Sequence, residues 1–379
     1  MTLAEAEQIA RAGAAAMQAG DMLGAKNQFE RLTVSGRTNA QIWLMLAHCS
    51  RAVGDWATAE RAADAILAKD NHNLRALIIK GDARDATGDR RSAASFYETV
   101  NRLAVQATAP PPDLTAELER VARVSQDMRD GFADALKQRL AAAGVAAQSS
   151  RFDESVDILF EKKRVYRQEP TAYFFPQLPQ RQFFERDEFG WVQAVEEAAD
   201  DILAELQTAM TGGDLFRPYL ESRQDRPSYD FHGLLDNPAW STLYLTENGG
   251  PVERHAGHFP KTLAAMQHVP LPHITVRAPS ILYSLLKGGA RIAPHHGMIN
   301  TRLICHLPLI VPPGCGFRVG NEVREWEVGK LMIFDDTIEH EAWNDSDRDR
   351  IILIFDVWRP ELTMDERAAV TAMFEAIDT

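Results

Sequence analysis

Hydrophobic and polar positions along this 379-residue chain follow two different patterns. Over roughly the first hundred residues, apolar side chains recur at helical spacing, as in "IWLMLAHCSRAVGD" and "LRALIIKGDARDATGD". From about residue 150, short apolar runs alternate with glycine, proline and asparagine. The sequence therefore predicts an all-α region followed by a region of short strands.

The helical region contains a repeat of 34 residues. The dipeptides Gly20-Asp21, Gly54-Asp55 and Gly88-Asp89 keep this step, and so do Ala25, Ala59 and Ala93. In each unit the glycine suits the backbone turn that ends one helix, and the aspartate can cap the next helix. The pattern resembles the tetratricopeptide repeat and predicts a domain of three repeats over residues 1–106. The concave face of such a solenoid binds partners in many proteins, although the repeats here could instead brace a neighbouring domain or form a homodimer.

Three consecutive prolines, Pro110 to Pro112, mark the end of the repeats. Proline stops a preceding helix, and Asp113 or Thr115 is placed to cap the following one. We therefore expect residues 107–150 to form a proline-started helical linker, with its helix over 114 to about 146.

Residues 151–379 are expected to form a β-rich domain with flanking helices. An amphipathic helix is predicted over roughly 189–210. Apolar runs predict further strands, namely "ILYSLL", "RLICHLPLIV", "FRVG", "KLMIFDD" and "RIILIFDVW". Many short strands with turn signals favour an antiparallel sandwich or barrel, so the fold class expected for the whole chain is α+β.

Composition and charge exclude several classes of protein. A net charge of -13 argues against nucleic-acid binding, because phosphate recognition needs a basic face. No stretch approaches the 18 or so uninterrupted apolar residues of a membrane span, and the acidic N-terminal stretch lacks the features of a signal peptide. Three scattered cysteines fit a reducing compartment, so we expect no membrane insertion and a cytoplasmic location.

Two histidines in the β region are candidate metal ligands. His295 follows a proline at a predicted strand edge, and His340 lies just past the apolar strand "LMIF". Their separation along the chain suits two neighbouring strands of one barrel. Imidazole binds iron, zinc, copper and nickel, so the histidines alone do not identify the metal.

Arg350 is a candidate anion-binding residue. Strand alternation places Arg350, Ile352, Ile354 and Asp356 on one face of "RIILIFDVW". An arginine that points into an apolar barrel must be paired, and a dicarboxylate ligand would pair with it through two contacts. Arg348 is the competing residue, but it lies in the polar run "NDSDRD" and is expected to face solvent.

This layout matches an iron(II)- and 2-oxoglutarate-dependent oxygenase. The usual metal site of such enzymes has two histidines and one carboxylate. That carboxylate would lie two residues after His295 or His296, where this chain has Gly297 and Met298. Either the acid comes from elsewhere, or the site has only two protein ligands.

Several stretches then resemble the aspartyl/asparaginyl β-hydroxylase family across roughly residues 150–365. They are "PHHGMINTRL", "HLPLIVPPGCGFRVGNEVREWEVGKLMIFDDTIEHEAWN" and "RIILIFDVWRPELT". The resemblance implies a double-stranded β-helix (a jelly-roll) that uses Fe(II), 2-oxoglutarate and O2. It also implies a metal held by two histidines, with water in place of the third ligand.

The resemblance assigns roles to individual residues. His295 and His340 would hold the iron, Arg350 and Ser284 the far carboxylate of 2-oxoglutarate, and His306 its near carboxylate. The family's animal members have an arginine where this chain has Ile304. Arg302 lies two residues before Ile304 on the same predicted strand, so the two side chains share one face. Arg302 is therefore the candidate to replace the missing arginine.

Some of these residues could instead have purely structural roles. Without the family resemblance, His306 between Cys305 and Leu307 would be interpreted as a core histidine. Asp335 and Asp336 are expected to serve turn and capping roles rather than to bind a metal.

The function expected is hydroxylation of the β-carbon of Asp or Asn in a peptide or protein, with succinate and CO2 as co-products. The repeat domain favours an extended substrate that its groove guides. Three alternatives are kept: an adaptor whose oxygenase-like domain has weak or no turnover, a hydroxylase of a small-molecule or lipid acyl substrate, and, ranked last, a zinc hydrolase.

Overall fold

The structure is a computed structural model that describes residues 1–106, 109–144, 150–213, 215–222, 224, 227 and 231–378. The chain separates into two compact units, Met1–Lys162 and Lys163–Thr379. The stretch expected to be a helical linker lies within the first unit. Among the described residues, no helix has the length and apolar character needed to cross a membrane.

The first unit is a tetratricopeptide-like helical array. Its helices are α1 (Leu3–Gln18), α2 (Met22–Val34), α3 (Ala40–Ala52), α4 (Trp56–Leu67), α5 (Leu74–Ala86), α6 (Arg90–Ala104), α7 (Pro112–Ala142) and α8 (Ser150–Leu159). Helices α1 to α6 form three hairpins, as the 34-residue repeat predicts.

The turns of these hairpins have the conformation expected from the sequence. Gly20, Gly54 and Gly88 have positive φ angles of 80°, 75° and 86°, which glycine adopts without strain. The aspartate that follows each glycine caps the next helix, accepting from the backbone N–H three residues on. The alanines of the repeat, at 25, 59 and 93, are fully buried where paired helices approach closely.

Helix α7 begins differently from the prediction. Pro111 is its N-cap residue, and no side chain caps the helix. Asp113 instead pairs with Arg75 at 2.6 Å, and the Thr115 hydroxyl donates to the Pro111 carbonyl oxygen at 3.1 Å. The expected side-chain cap was wrong, because Pro112 at the first helical position already removes one of the N–H groups that a cap would satisfy. The predicted end of this helix near residue 146 lies outside the described residues.

The second unit is rich in antiparallel β-sheet. Its strands are β1 (Phe183–Phe184), β2 (Arg217–Pro218), β3 (Trp240–Glu247), β4 (Gly250–Pro251), β5 (Ile281–Leu286), β6 (Arg291–His295), β7 (Arg302–Ile310), β8 (Cys315–Val319), β9 (Glu322–Arg324), β10 (Met332–Phe334), β11 (His340–Asn344) and β12 (Arg350–Trp358). One sheet has eight strands, in the order β1-β10-β7-β12-β5-β3-β2 with β4 beside β3, and the other has four, in the order β6-β11-β8-β9.

The helices of the second unit are α9 (Val192–Glu197), α10 (Ala199–Met210), α11 (Glu253–Ala256), α12 (Pro260–Met266) and α13 (Met364–Asp378). The single helix expected over 189–210 is therefore two helices, with a break at Ala198. Buried positions such as Val195 and Ile202 continue across the break, so the apolar pattern did not reveal it.

All five predicted runs are strands in the structure, which has seven further strands among the described residues. β3 lies in a region that looked polar and irregular, while β6 and β11 are short and carry polar side chains. β6 and β11 are neighbours in the four-stranded sheet, and side chains from both sheets share one apolar cluster, including Phe317, Phe334 and Ile352. The candidate functional residues lie around this cluster.

Candidate functional site

Two histidines face each other on neighbouring strands. β6 ends at His295 and β11 begins at His340, and the two residues are direct partners in the antiparallel register. Their ring centroids lie 4.0 Å apart. The structure thus brings the two predicted metal ligands together at one edge of the four-stranded sheet.

Backbone carbonyl groups orient both imidazole rings. Nδ1 of His295 lies 2.8 Å from the carbonyl oxygen of Ala293, and Nδ1 of His340 lies 3.1 Å from that of Ile338. An Nδ1–H that donates to a carbonyl leaves the lone pair on Nε2. Each ring is therefore held in the tautomer that can bind a metal through Nε2.

Burial favours the neutral form of both rings. It lowers the pKa of His295, and it sets the pKa of His340 well below the usual value, to which the neighbouring His295 contributes. A metal binds only the unprotonated imidazole, so both rings are ready to act as ligands at neutral pH.

No third ligand of the common types completes this pair. Within the described ranges, no group of three or more histidine, cysteine, aspartate or glutamate side chains is arranged to hold a metal ion.

Arg350 approaches from the eight-stranded sheet. Its side chain is 1% exposed, and its Nη2 donates to the Ser284 hydroxyl of β5 at 3.3 Å. The guanidinium carbon lies 5.0 Å from the ring centroid of Trp326. Burial lowers the pKa of Arg350 to about 10.

No carboxylate of the described chain pairs with Arg350, and its Nε has no hydrogen-bond partner there. A buried cation without a counter-ion is costly, and proteins retain one where a ligand supplies the anion. Ser284 adds a hydroxyl beside the guanidinium and also accepts from Nε1 of Trp240 at 3.2 Å.

His306 lies on β7 in the wall of the same cavity. Its ring centroid is 4.7 Å from that of Phe334 and 5.1 Å from that of Phe317. Its Nδ1 is buried and has no hydrogen-bond partner among the described residues, and burial sets its pKa well below the usual value. A buried polar atom without a partner is a candidate contact for a bound molecule.

Arg302 lies on the same face of β7 as Ile304 and His306, as strand alternation predicts. Its Nη1 donates to the Asp356 carboxylate at 3.0 Å, and its Nη2 lies 3.6 Å from the Asp336 carboxylate. Two aspartates therefore already neutralise this guanidinium. The proposal that Arg302 replaces the arginine missing at position 304 stays a prediction.

Asp335 and Asp336 have different roles, although the sequence suggested the same role for both. Asp335 accepts from the backbone and hydroxyl of Thr337, which is the turn role expected, and it also pairs with the fully buried Arg359 at 2.5 Å. Asp336 lines the cavity, and burial raises its pKa to about 6. Asp336 also lies in the turn expected from the sequence, and its side chain lines the cavity in addition.

Asp336 occupies space beside Gly297. A Cβ at position 297 would come within 2.1 Å of the Asp336 Oδ2, and the Asp336 carbonyl oxygen accepts from Gly297 N at 2.6 Å. The carboxylate that is absent from position 297 in the sequence is thus matched by a carboxylate that approaches the same place from the turn before β11. A glycine two residues after a ligand histidine was the available sequence signal.

All six predicted site residues line one cavity of about 620 Å³ between the two sheets. They share it with further apolar side chains, chiefly Tyr219, Leu220, Phe231, Trp240, Met298 and Ile354. Tyr219 stacks on Trp240 with ring centroids 4.0 Å apart. The cavity thus combines a histidine pair, one unpaired arginine and an apolar wall.

The β-rich part of the chain is similar in sequence to known proteins. Residues 196–360 match the family model described as aspartyl/asparaginyl beta-hydroxylase. This match confirms the family resemblance seen in the sequence.

Three curated relatives illustrate the similarity. The mouse aspartyl/asparaginyl beta-hydroxylase is 41% identical over 141 residues, which are 37% of this chain and 19% of that protein. The ornithine lipid ester-linked acyl 2-hydroxylase of Rhizobium tropici is 34% identical over 175 residues, 45% of this chain and 58% of that protein. The human aspartate beta-hydroxylase domain-containing protein 2 is 29% identical over 211 residues, 55% of each chain. The chain thus spans only about a fifth to somewhat over half of these relatives.

Some solved structures align with about a third of the chain at low sequence identity. PcrH from Pseudomonas aeruginosa aligns with a TM-score of 0.29 and 20% identity, covering 34% of this chain and 94% of that one. The first tetratricopeptide domain of Spaghetti (RPAP3), solved with an HSP90 peptide, aligns with a TM-score of 0.27 and 18% identity, covering 33% and 95%.

Proposed function

We propose that the second unit, whose residues 196–360 match the aspartyl/asparaginyl beta-hydroxylase family, is an iron(II)- and 2-oxoglutarate-dependent dioxygenase. The observation that carries this proposal is the unpaired, buried Arg350, which lines the same cavity as the His295–His340 pair. A histidine pair alone would suit several metals, but a neighbouring arginine that lacks an anion specifies an acidic co-substrate.

We also assign the two antiparallel sheets of this unit to a double-stranded β-helix. The histidines lie on the four-stranded sheet and Arg350 on the eight-stranded sheet, so the site would lie between the sheets. The shared apolar cluster of both sheets supports this assignment.

The residues present fit the proposed groups. His295 and His340 would bind the iron through Nε2, because carbonyl oxygens hold each Nδ1. Arg350 and Ser284 would bind the far carboxylate of 2-oxoglutarate, since the guanidinium lacks a partner and the hydroxyl is beside it. His306 would contact the near carboxylate through its orphaned ring nitrogen.

The chemistry that this iron supplies when bound with 2-oxoglutarate and O2 is oxidative hydroxylation of an unactivated C–H bond, with succinate and CO2 released. The residues of the chain orient the reacting groups and shield them from water. Arg350 fixes one end of the co-substrate and the two imidazoles fix the metal, so the reacting groups meet in one geometry. The apolar wall formed by Ile304, Ile354 and Phe231 limits the access of water.

For the substrate, we propose the β-carbon of an Asp or Asn residue in a peptide or protein. The mouse and human relatives named aspartyl/asparaginyl beta-hydroxylase support this class. A cavity of about 320 Å³ in the first unit, lined by Leu44, His48 and Ile78 among others, would guide an extended peptide.

A second candidate substrate is an acyl chain. The Rhizobium relative is named an acyl 2-hydroxylase, and it is 34% identical over a longer stretch than the mouse protein. The apolar wall of the cavity favours this alternative, because an acyl chain would bury apolar surface there.

Turnover of 2-oxoglutarate tests the proposal without knowledge of the substrate. Purified protein with Fe(II) and O2 should convert 2-oxoglutarate to succinate, at least slowly, and His340→Ala should abolish this. Arg348→Ala is the matched control, because Arg348 is exposed and lies outside the cavity. Conversion that is unaffected by His340→Ala would contradict the proposal. A protein that binds peptide through the repeats but never consumes 2-oxoglutarate would instead be an adaptor.

A further inference from the structure

Two short connections lie next to the candidate metal ligands. The loop 296–301 follows His295 at the end of β6, and the turn 335–339 precedes His340 at the start of β11. A metal that binds both histidines needs the two rings at one separation and angle, so residues that hold the two connections together affect metal binding. This inference rests on the proposed function, because it takes the two histidines as ligands of iron.

The segment 168–175 lies against both connections and forms backbone hydrogen bonds with each of them. The N–H of Glu169 donates to the carbonyl oxygen of Thr337, in the turn, at 2.8 Å. The N–H of Thr171 donates to the carbonyl oxygen of Gly297, in the loop, at 3.0 Å. The segment therefore fixes the chain close to both histidines.

The side chain of Gln168 links the loop to the turn. It is 6% exposed, its Nε2 donates to the Asp335 carboxylate at 2.6 Å, and its Oε1 accepts from Nδ2 of Asn300 at 3.0 Å. Asp335 and Asn300 are both completely buried. One amide group thus uses its donor in the turn and its acceptor in the loop, in surroundings where hydrogen bonds are stronger than in water.

On the turn side, the hydrogen bonds continue to His340. The Asp335 carboxylate accepts from the N–H and the hydroxyl of Thr337 at 3.0 and 2.5 Å, and it pairs with the fully buried Arg359 at 2.5 Å. The N–H of Ile338 donates to the Asp335 carbonyl oxygen at 3.3 Å. The carbonyl oxygen of Ile338 is in turn the group 3.1 Å from Nδ1 of His340. A shift of Asp335 would therefore move the group that orients this ring.

On the loop side, Asn300 holds the chain that follows His295. Its Oδ1 accepts from the N–H of Phe175 at 2.6 Å, and its Nδ2 donates to the Phe175 carbonyl oxygen at 2.9 Å as well as to Gln168. Phe175 belongs to the same segment as Gln168. The loop is therefore fixed to that segment by a buried side chain in addition to the backbone hydrogen bonds.

We propose that Gln168 is a positioning residue of the metal site. It holds the loop after β6 and the turn before β11 at the separation at which His295 and His340 bind one ion. Its side chain acts through Asp335 and Asn300 rather than on the metal. Replacement of residues that orient metal ligands weakens metal binding by roughly tenfold to a hundredfold.

Two variants and one control test this role in the full-length protein. Gln168→Met removes both side-chain hydrogen bonds at similar volume, and Gln168→Glu keeps the acceptor for Asn300 but loses the donor to Asp335. Thr262→Val is the matched control, because Thr262 on α12 is also buried and its hydroxyl donates to Glu205 of α10 at 2.8 Å. Competition with a metal-binding dye without oxygen measures Fe(II) affinity, at a temperature at which circular dichroism shows every variant to be folded.

Both Gln168 variants should bind Fe(II) about tenfold or more weakly than wild type does. Thr262→Val should lower the melting temperature but bind Fe(II) as wild type does, and the isosteric Gln168→Glu decides if Gln168→Met does not fold. Wild-type affinity in a folded Gln168 variant would overturn the positioning role and leave the proposed function intact. An equal loss of affinity in Thr262→Val would also overturn the positioning role. A wild-type protein that binds no Fe(II) would overturn both the positioning role and the proposed function.

Discussion

At the level of single residues, Arg350 is the clearest sign of a binding site. Its guanidinium is buried, its Nε has no hydrogen-bond partner in the described chain, and burial depresses its pKa to about 10. A residue chosen for stability alone would carry a carboxylate partner or be apolar. The arrangement makes sense if an anionic ligand completes it.

Replacing Arg350 should therefore separate binding from stability. We expect Arg350→Met to reduce 2-oxoglutarate affinity by at least about tenfold, since one charge-assisted contact is worth roughly 1.5–3 kcal/mol. The same change should leave the melting temperature of the ligand-free protein unchanged or raise it, because an unpaired buried charge is removed. Calorimetric titration and thermal unfolding measure the two effects. A large fall in melting temperature without loss of affinity would contradict this interpretation.

The buried histidines predict a pH dependence of stability. The pKa of His306 is held well below its usual value of 6.5 in the folded protein, so the folded state binds fewer protons than the unfolded state does in acid. The contribution of His306 to the free energy of unfolding is therefore complete above pH 6.5. It is lost as the pH falls, by up to about 1.4 kcal/mol per pH unit.

His306→Gln should weaken this pH dependence. Glutamine does not titrate, so the metal-free variant should lose less free energy of unfolding between pH 7.5 and 5.5 than wild type does. Urea denaturation at the two pH values measures the difference. Equal losses in the two proteins would show that His306 is not a neutral buried group.

The close approach of Asp336 to Gly297 gives a further prediction. Gly297→Asp would place a carboxylate where many oxygenases have one, but its Cβ would come within 2.1 Å of Asp336 Oδ2. We expect the single variant to bind Fe(II) at least tenfold more weakly than wild type. Combining it with Asp336→Gly should restore binding, because the space is vacated. Competition with a metal-binding dye measures both affinities, and full Fe(II) affinity in the single variant would contradict the steric argument.

Much of the site could be predicted at this scale, and some could not. His295, His340 and Arg350 stood out because their residue types are costly in an apolar strand region unless they have a function. Asp336 did not stand out, because an aspartate in "FDDT" is also typical of a turn. Only the folded chain shows that one of the two aspartates faces the cavity.

At the level of elements, the helical repeats were predictable because their signals are local. Glycine, the aspartate cap and the small alanine recur within each hairpin, and each acts on residues close in sequence. β6 and β11 were harder to recognise, since each has five residues and its pairing partner lies about 45 residues away. Long-range pairing, rather than the local pattern, determines those strands.

The caps of the repeat helices should differ in strength. Asp55 caps α4 through Thr58 N at 3.1 Å and also pairs with the largely buried Lys26 at 3.0 Å. Asp89 caps α6 in the same way, but its arginine partner is 3.6 Å away and more exposed.

We therefore expect Asp55→Ala to destabilise the first unit by about 1–2 kcal/mol and Asp89→Ala to destabilise it less. Chemical denaturation followed by helical circular dichroism measures both variants. A larger effect at Asp89 than at Asp55 would mean that the ion pair to Lys26 adds no stability.

At the level of the whole molecule, the chain has two units with separate cores. The first buries an alanine-rich helical interface, and the second buries a large cluster from its eight-stranded sheet and helices. Units with separate cores can unfold separately. The order of the two units along the chain was predictable, because the pattern of apolar residues changes near residue 150.

Differential scanning calorimetry should then resolve two transitions. Fe(II) with 2-oxoglutarate should raise the transition temperature of the second unit only, because the candidate site residues all lie in that unit. A bound molecule stabilises the folded state that binds it. His340→Ala should remove this shift and leave the other transition unchanged. A shift of both transitions by the ligands would contradict an independent response of the two units.

In the proposed function, His295, His340 and Arg350 form one site for iron and an oxoacid. The most direct test adds Fe(II) and then 2-oxoglutarate to the purified protein without oxygen and records the visible spectrum. Such a site should give a charge-transfer band that is absent in His295→Ala and in Arg350→Ala and retained in Arg348→Ala. A folded wild-type protein that binds the metal but forms no such band would contradict the proposed site.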